Sequence, residues 1–306
     1  MRILLVGQIS NPRVSKAMIE ASQYLSDQGI DHVELDISVL PDAAFMYSGA
    51  EPKVLHPDLE GDFDVAVALG GDGTLIHTAR LSTMYNIPVL GINFGHLGFL
   101  ANSSEGGVIP ALEGALRGEA VVVKRSNLRI DVFLEREDGE SSSHDMLLAK
   151  ESSYVKSFFA FNEIAIARGA MGRIIDFDLK IAGDHVANMR GDGVVVSSAT
   201  GSTAYALSAG GPLVAPHFRG RVVVPIAPHT LNSRAIVTEM NDVVEVDLPM
   251  KDKQREEVSL FVDGDALEFS RPIERIVVRE GEVRTLLMKY RMDSFYKQIS
   301  RTFFSE

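Results

Sequence analysis

The stretch Asp64-Val65-Ala66-Val67-Ala68-Leu69-Gly70-Gly71-Asp72-Gly73-Thr74 decides how the first part of the chain is read. Residues 64–69 form an apolar run of strand length, the pattern of a strand buried on both faces. Glycines interrupt it, and apolar spacing from about residue 75 to 85 predicts a helix. A strand, a glycine turn and a helix place free backbone amides at the helix N-terminus, where the dipole favours an anion. Glycine lets a phosphate approach the backbone closely. The geometry suits a phosphate cradle. A tight turn with no ligand has the same composition, and local composition divides evenly between the two.

Asp72 sharpens the question. A carboxylate inside a phosphate cradle is electrostatically wrong unless it has a separate task. It could hold Mg²⁺, or accept a proton from an attacking hydroxyl. It could also simply cap the helix, the commoner outcome for an Asp at such a place.

Working outward, residues 3–6 read as a strand. Residues 15–28 read as a helix, with Ala17, Met18, Ala21 and Leu25 on one face and a stop before Gly29. Residues 33–37 read as a weaker strand and 88–93 as another. Strand–helix alternation implies a parallel sheet with helices on its faces. Near residue 120 the pattern changes to short β-branched runs at 128–134, 163–168, 177–181, 194–198, 222–225, 243–248, 258–262, 276–278 and 286–290. These predict a mainly antiparallel, sandwich-like β domain. Phe295, Ile299 and Phe303 recur every fourth residue, which predicts a short terminal helix. The expected division is an α/β domain over 1–120, with 291–306 packing back on it, and a β-rich domain over 121–290. The Ser-rich stretch 139–150 reads as an exposed loop.

Composition excludes several classes. The formal charge is −12, which repels nucleic-acid backbones at long range but leaves a small phosphorylated ligand open. No apolar run reaches the ~18–20 residues of a membrane helix, so no membrane partner is expected. The run at residues 1–7 is too short for a signal-peptide core. Cysteine is absent, so thiolate catalysis and thiolate zinc sites are excluded, and a cytoplasmic location is expected. Competing motifs fail as well. Ile76 stands where a dinucleotide fingerprint needs its third glycine, and the chain contains no Gly-Lys pair for a P-loop. His-Arg-Asp and G-x-S-x-G are also absent.

Three further segments join the first. They are Gly91-Ile92-Asn93-Phe94-Gly95-His96-Leu97-Gly98-Phe99-Leu100, the pair Asn162-Glu163, and the run from Gly191-Asp192-Gly193 through Thr200-Gly201-Ser202-Thr203-Ala204-Tyr205 to Gly210-Gly211-Pro212. Together the four resemble the NAD kinase family. The Gly-Gly-Asp-Gly-Thr turn is shared with lipid kinases and resembles phosphofructokinases; the Thr-Gly-Ser-Thr-Ala-Tyr run with Asn-Glu upstream is far more specific.

The resemblance implies transfer of a phosphoryl group from ATP, or polyphosphate, to the 2′-hydroxyl of the adenosine ribose of NAD. It implies a divalent cation, with Mg²⁺ the expected ion and its ligands unassigned, and a homodimer or homotetramer. Asp72 matches the catalytic aspartate. Gly70, Gly71, Gly73 and Thr74 match the phosphate-binding turn. Asn162 and Glu163 match the pair that contacts the adenosine part of NAD. Thr203, Ala204, Tyr205, Ala206, Leu207 and Ser208 match the nicotinamide-side and ribose contacts. Arg173, Arg190, Asp192 and Ala227 match positions that reach substrate, Arg190 and Asp192 often across a subunit boundary. His77 stands where many relatives carry Arg, so it brings less attraction for phosphate. Asp263-Gly264-Asp265 falls where relatives vary.

Taken without the resemblance, each residue has a plainer reading. Asn-Glu at a strand start is commonly a turn, Tyr205 a core residue, and Arg190 half of a surface ion pair. Two rival functions follow. One is a lipid or sugar kinase of the same superfamily. The other is a non-catalytic NAD(P)-binding regulator, which would need no Asp72.

Overall fold

The computed structural model describes residues 1–39, 46–47, 62–94, 98–103, 106–135, 154–251, 254–291 and 293–304. The expected loop at 139–150, and Gly95, His96 and Leu97 of the second motif, lie outside the described residues. The chain divides into two units. One comprises Met1–Ala44, Lys53–Arg125 and Val283–Glu306, the other Phe45–Pro52 and Ser126–Glu282.

The first unit is built on one sheet, with strand order Asp31–Asp36, Arg2–Gly7, Val65–Leu69, Val89–Asn93, Thr285–Lys289, Val121–Arg125. All neighbours are parallel except the last pair, which is antiparallel. Val65–Leu69 is buried at every position, as its unbroken apolar run requires. One face is covered by helices Pro12–Asp27 and Ile109–Leu116, which bring Val14, Met18, Leu25, Ala111 and Leu112 onto Ile3, Leu5, Val67 and Leu90. Helix Asp72–Thr83 packs on Val65–Leu69, Val89–Asn93 and Thr285–Lys289.

Helix limits differ from the periodicity in two instructive places. The first helix begins at Pro12, not near residue 15, because proline is harmless in the first turn and the Asn11 side chain accepts from Arg13 N–H at 3.0 Å. The second begins at Asp72 itself, so the glycine turn is already its first turn.

The expected boundary between the parts needs correction. The expected β-rich part, 121–290, takes in residues 121–125 and the run 286–290, yet strands Val121–Arg125 and Thr285–Lys289 both belong to the first unit's sheet. A period of two identifies a strand but carries no information about its partner. The chain's last stretch also belongs to the first unit. Helix Phe295–Ile299 is capped by Ser294, and Phe99 lies 6.1 Å from Phe295 and 6.2 Å from Phe303 between ring centres.

The second unit is a sandwich of two antiparallel sheets. One runs Ile236–Glu239, Gly220–Ile226, Gly193–Ser198, Glu163–Arg168, Val258–Val262, Asp265–Leu267. The other runs Asp184–Gly191, Ile175–Ile181, Val244–Asp247, Ile273–Glu280, Leu128–Leu134, Val155–Ala160, Met46–Tyr47. Alternate residues of both sheets meet in one core: Ile164, Ile166, Val194 and Val196 against Ile130, Phe177, Val246 and Ile276. Asp184–Gly191 escaped the sequence pattern because it is an edge strand, mostly exposed and largely polar. The other face of the first sheet carries Ala165, Val195, Val222 and Val224, which pack against Ala206. That contact seats the Thr200–Ser208 segment on the sheet. Among the described residues, no helix is long and apolar enough to cross a membrane.

Candidate active site

In the first unit, a cleft of about 330 Å³ is lined by Asn11, Arg13, Gly70, Gly71, Asp72, Asn93, Phe94 and Gly98. Gly71 is the helix N-cap and offers no side-chain hydrogen bond, so the first amides of Asp72–Thr83 are left for another acceptor. A Cβ at Gly71 or Gly73 would meet nothing within 4 Å, so these two glycines border open space.

The capping reading of Asp72 fails here. Asp72 is the first helical residue, and its carboxylate is turned towards the 98–101 turn. A Cβ on Gly98 would overlap Asp72 Oδ2 and Oδ1, so the carboxylate occupies the space that only glycine leaves free. Burial raises the Asp72 pKa above its ordinary value. The backbone amides of Ala101, Phe99 and Leu100 and the charge of Lys289 pull it back down, without cancelling the effect of burial. Oδ1 is buried and accepts no hydrogen bond. A buried acceptor left without a partner is costly, so Oδ1 retains capacity for one more hydrogen bond. His77, one turn further along the helix, is half-buried.

The second unit holds Asn162 and Glu163, at 5% and 6% exposure. The commonplace turn reading does not survive their surroundings. Asp263 Oδ1 accepts the amides of Asn162 at 2.7 Å and Glu163 at 3.0 Å, and Oδ2 accepts that of Phe161 at 2.8 Å. Asp263 itself sits at φ +51° in the Asp-Gly turn joining Val258–Val262 to Asp265–Leu267, a conformation Asp tolerates better than most residues. On the other side, Ser198 N–H donates to Asn162 O at 2.7 Å and Ser198 Oγ to Phe161 O at 2.8 Å. Gly201 packs so close to Asn162 O that a Cβ there would overlap it.

The backbone is thus held on both sides while the side chains stay open. Asn162 Oδ1 and Glu163 Oε2 are buried and make no hydrogen bond. Burial, and then the neighbouring negative charge of Asp263, push Glu163 up to about 8, against the lowering effect of the Tyr205 amide. Glu163 therefore holds its proton more tightly than an ordinary carboxylic acid, and its neutral form offers one O–H donor as well as an acceptor. A cleft of about 290 Å³ lies beside it, lined by Glu163, Ala165, Ala167, Tyr205, Phe261 and Gly264. Tyr205 is 43% exposed, so the core reading does not hold for it.

The remaining expected residues separate into distinct environments. Thr203 and Leu207 are half-buried and Ser208 is exposed, with Ala204 between the two short helical turns. Ala206 is fully buried among Ala165, Val195 and Val224, so its side chain serves the core. Arg173 and Arg190 line a different cleft of about 820 Å³ with Arg255, Glu256 and Glu257. Asp192 pairs with Arg168 at 3.2 Å. Ala227 has φ +41°, a left-handed conformation strained for alanine, and its neighbours are tied to residues 190–192 by Asp192 N to Ile226 O and His229 N to Arg190 O.

Two residues that bear on these sites, Lys289 and Arg125, were not singled out in the sequence, and Asp263 was named there without a role. Asp-Gly between two apolar runs is a hairpin signal that fits the place of Asp263. The apolar run around it, Leu286-Leu287-Met288-Lys289-Tyr290, could have flagged Lys289. Among the described residues no group of three or more His, Asp or Glu side chains could hold a metal. Mg²⁺ that travels with a nucleotide keeps phosphates and water as most of its ligands. The described residues therefore assign such an ion no protein cage.

Chemically, the first unit presents an uncapped helix end beside a half-buried acid, and the second a mostly apolar cleft with the Glu163 carboxyl and the Tyr205 ring on its lining. That division of labour defines a phosphotransferase acting on a nucleotide. Comparison with known proteins makes it specific. The ATP-NAD kinase N-terminal domain matches residues 5–120 and the ATP-NAD kinase C-terminal domain residues 161–290. The NAD kinase of Geobacter sulfurreducens is 33% identical over 296 residues, covering 97% of this chain and 95% of that protein. The NAD kinase of Lachnoclostridium phytofermentans is 35% identical over 252 residues, covering 81% and 84%. Two solved structures share the fold. Yeast NADH kinase complexed with NADH has a TM-score of 0.80 at 22% identity, covering 100% of this chain and 88% of that one. An NAD kinase from Archaeoglobus fulgidus in complex with ATP has a TM-score of 0.67 at 24% identity, covering 95% and 94%. The chain belongs to the NAD kinase family, and it is an enzyme that phosphorylates NAD.

Proposed function

We propose that the enzyme moves the γ-phosphoryl group of ATP to the 2′-hydroxyl of the adenosine ribose of NAD, with Asp72 as general base. The observation that carries this is Asp72 Oδ1, a buried acceptor without a partner beside an uncapped helix end. As the oxygen–phosphorus bond forms, the 2′-hydroxyl proton passes to Asp72 and ADP leaves with the electrons of the broken bond. Burial raises the Asp72 pKa, which makes the carboxylate a better proton acceptor. The helix-end amides of Asp72–Thr74 face phosphate oxygens, while the Gly70 amide is held by Ile92 O at 3.0 Å. Positioning and charge neutralisation dominate such transfers. A divalent cation bound to the nucleotide would supply neutralisation of phosphate charge, with no cage of side chains among the described residues to hold it.

In the second unit, Asn162 and neutral Glu163 meet the adenosine, and Tyr205 lays its ring on the ligand with Thr203, Ala204 and Ser208 alongside. Leu207 adds apolar contact, and Ala206 contributes through its backbone alone. Arg173, Arg190, Asp192 and Ala227 reach substrate from their own environments, and His77 approaches the phosphates. The enzyme acts as a homodimer or homotetramer in the cytoplasm. The ligands of the two structural relatives, NADH in one and ATP in the other, support the pair of small-molecule substrates.

A coupled assay for NADP formed from NAD and ATP tests the reading directly. Asp72→Asn should retain NAD binding and lose turnover. A variant with wild-type turnover would remove Asp72 from the chemistry.

A further inference from the structure

The first unit contains a cation that this scheme leaves idle. Lys289 ends strand Thr285–Lys289, and its Nζ donates to the carbonyl of Leu100 at 3.0 Å. The Leu100 carbonyl and the Ala101 amide belong to one peptide group. A trans peptide is planar, with C=O and N–H pointing in opposite directions. The Ala101 amide is the strongest of the backbone donors acting on Asp72. Lys289 and Asp72 therefore sit at opposite ends of the same peptide plane. A cation on the carbonyl fixes that plane and polarises its N–H towards Asp72.

Holding the turn in place does not by itself require a charge. Asn102, at 1% exposure, already anchors it: Nδ2 donates to Gly91 O at 2.8 Å and Met288 O at 3.1 Å, and Oδ1 accepts from Tyr290 N at 2.8 Å. A partly buried ammonium is expensive compared with an apolar residue of the same length. Its surroundings are unfriendly too. Burial and the nearby Arg125 guanidinium lower the Lys289 pKa to about 8, and the charge acting to raise it is that of Asp72.

We infer that Lys289 is a positioning residue for phosphoryl transfer, holding and polarising the Leu100–Ala101 peptide that orients the Asp72 carboxylate. The inference rests on Asp72 being the base. Lys289 need not touch substrate.

Lys289→Met keeps the length and removes both charge and donor. Its kcat should fall roughly 10–100-fold, the scale of a misplaced reacting group, while KM for NAD and for ATP stays within about twofold. The natural chain has no cysteine, so Lys289→Cys carries a single thiol. Alkylating it with 2-bromoethylamine under mild denaturant, then refolding, restores an ammonium at nearly the native reach. Recovery of most of the lost kcat, against a mock-treated control, is the expected result. Unchanged kcat in Lys289→Met overturns the inference. So does a parallel fall in kcat, both affinities and melting temperature with no recovery on aminoethylation, which is the pattern of a structural residue. Asp72→Asn measured alongside separates the two proposals. Turnover kept in Asp72→Asn sinks the base, and turnover lost there but kept in Lys289→Met sinks only the positioning role.

Discussion

Asp72 and Glu163 are both carboxylates withdrawn from water, one in each unit, and burial raises both. What surrounds them differs. Asp72 faces three backbone amides and a lysine, which favour the charged form. Glu163 faces the carboxylate of Asp263, which favours the neutral form, and only the Tyr205 amide opposes it. One kind of acidic group thereby meets two opposite environments, and under the proposed function these suit a proton acceptor in the first unit and a hydrogen-bond donor in the second. Pairs of acids pushed apart by their environments are a recurring way to divide such labour.

The largest expected effect breaks the first half of this comparison. Asp72→Asn keeps the shape of the side chain and removes its basicity, so kcat should fall roughly 10²–10⁴-fold. NAD affinity, followed by calorimetry, should stay near wild type. A loss of affinity as large as the loss of kcat would instead make Asp72 a binding residue.

Next in size is Asp263→Ala, which attacks the second half. Three amides at Phe161, Asn162 and Glu163 lose their acceptor together. The cost should be about 2–5 kcal/mol, since alanine leaves buried donors unpaired and must also adopt φ +51°. Denaturant titration measures it. A change below about 1 kcal/mol would show that water or a shifted backbone satisfies those amides instead.

How legible these two acids were in the sequence follows from how local their surroundings are. Asp72 lies within one continuous strand–turn–helix, Val65–Leu69 followed by Asp72–Thr83, so its place at a helix end could be read directly. The direction of its carboxylate could not, because Gly98 and Ala101 come from a later loop. Glu163 was recognisable only within a family pattern. Its clamp, Asp263, lies 100 residues away and reaches it through the pairing of Val258–Val262 with Glu163–Arg168. Lys289 was assigned to the wrong sheet altogether, because a strand's periodicity is silent about its neighbours. Ala206 shows what a motif leaves out about side-chain direction. Its neighbours on a short helical turn face outward, and the turn's rotation carries Ala206 into the core.

A smaller effect concerns pH. Glu163 holds its proton more tightly in the folded state, at about 8, than in the unfolded chain, near 4.5. Between those values the folded state binds more protons, so stability should fall as pH rises through this window and level off above it. The slope contributed by this one group is at most about 1.4 kcal/mol per pH unit. Glu163→Gln is neutral throughout and should flatten that part of the stability profile. Wild-type NAD affinity should also weaken as pH passes 8, and the variant's should not. Identical pH profiles for the two proteins would mean that Glu163 is ionised at neutral pH, and the contrast with Asp72 would disappear.

The smallest effect uses a third acid as a control. Asp192 is also a carboxylate of the expected site, but its ion pair with Arg168 is open to solvent, with 44% of the arginine side chain and 32% of the aspartate side chain exposed. Water screens such a pair, and fixing two side chains costs entropy, so the bond should contribute between 0 and about 1 kcal/mol. Arg168→Ala should therefore shift the denaturation midpoint only slightly, and less still at high salt. Asp192 is held independently, through its amide to Ile226 O at 3.0 Å and its carbonyl to Arg168 N at 2.9 Å, and neither bond needs the arginine side chain. KM for NAD should thus stay within about twofold in Arg168→Ala, whereas Asp192→Ala should raise it if the carboxylate reaches substrate. A cost of several kcal/mol for Arg168→Ala would mean that the pair is shielded from water in the working enzyme. An assembly that covers this surface would do that, and the same denaturation measured over a dilution series would reveal it, because stability would then depend on protein concentration.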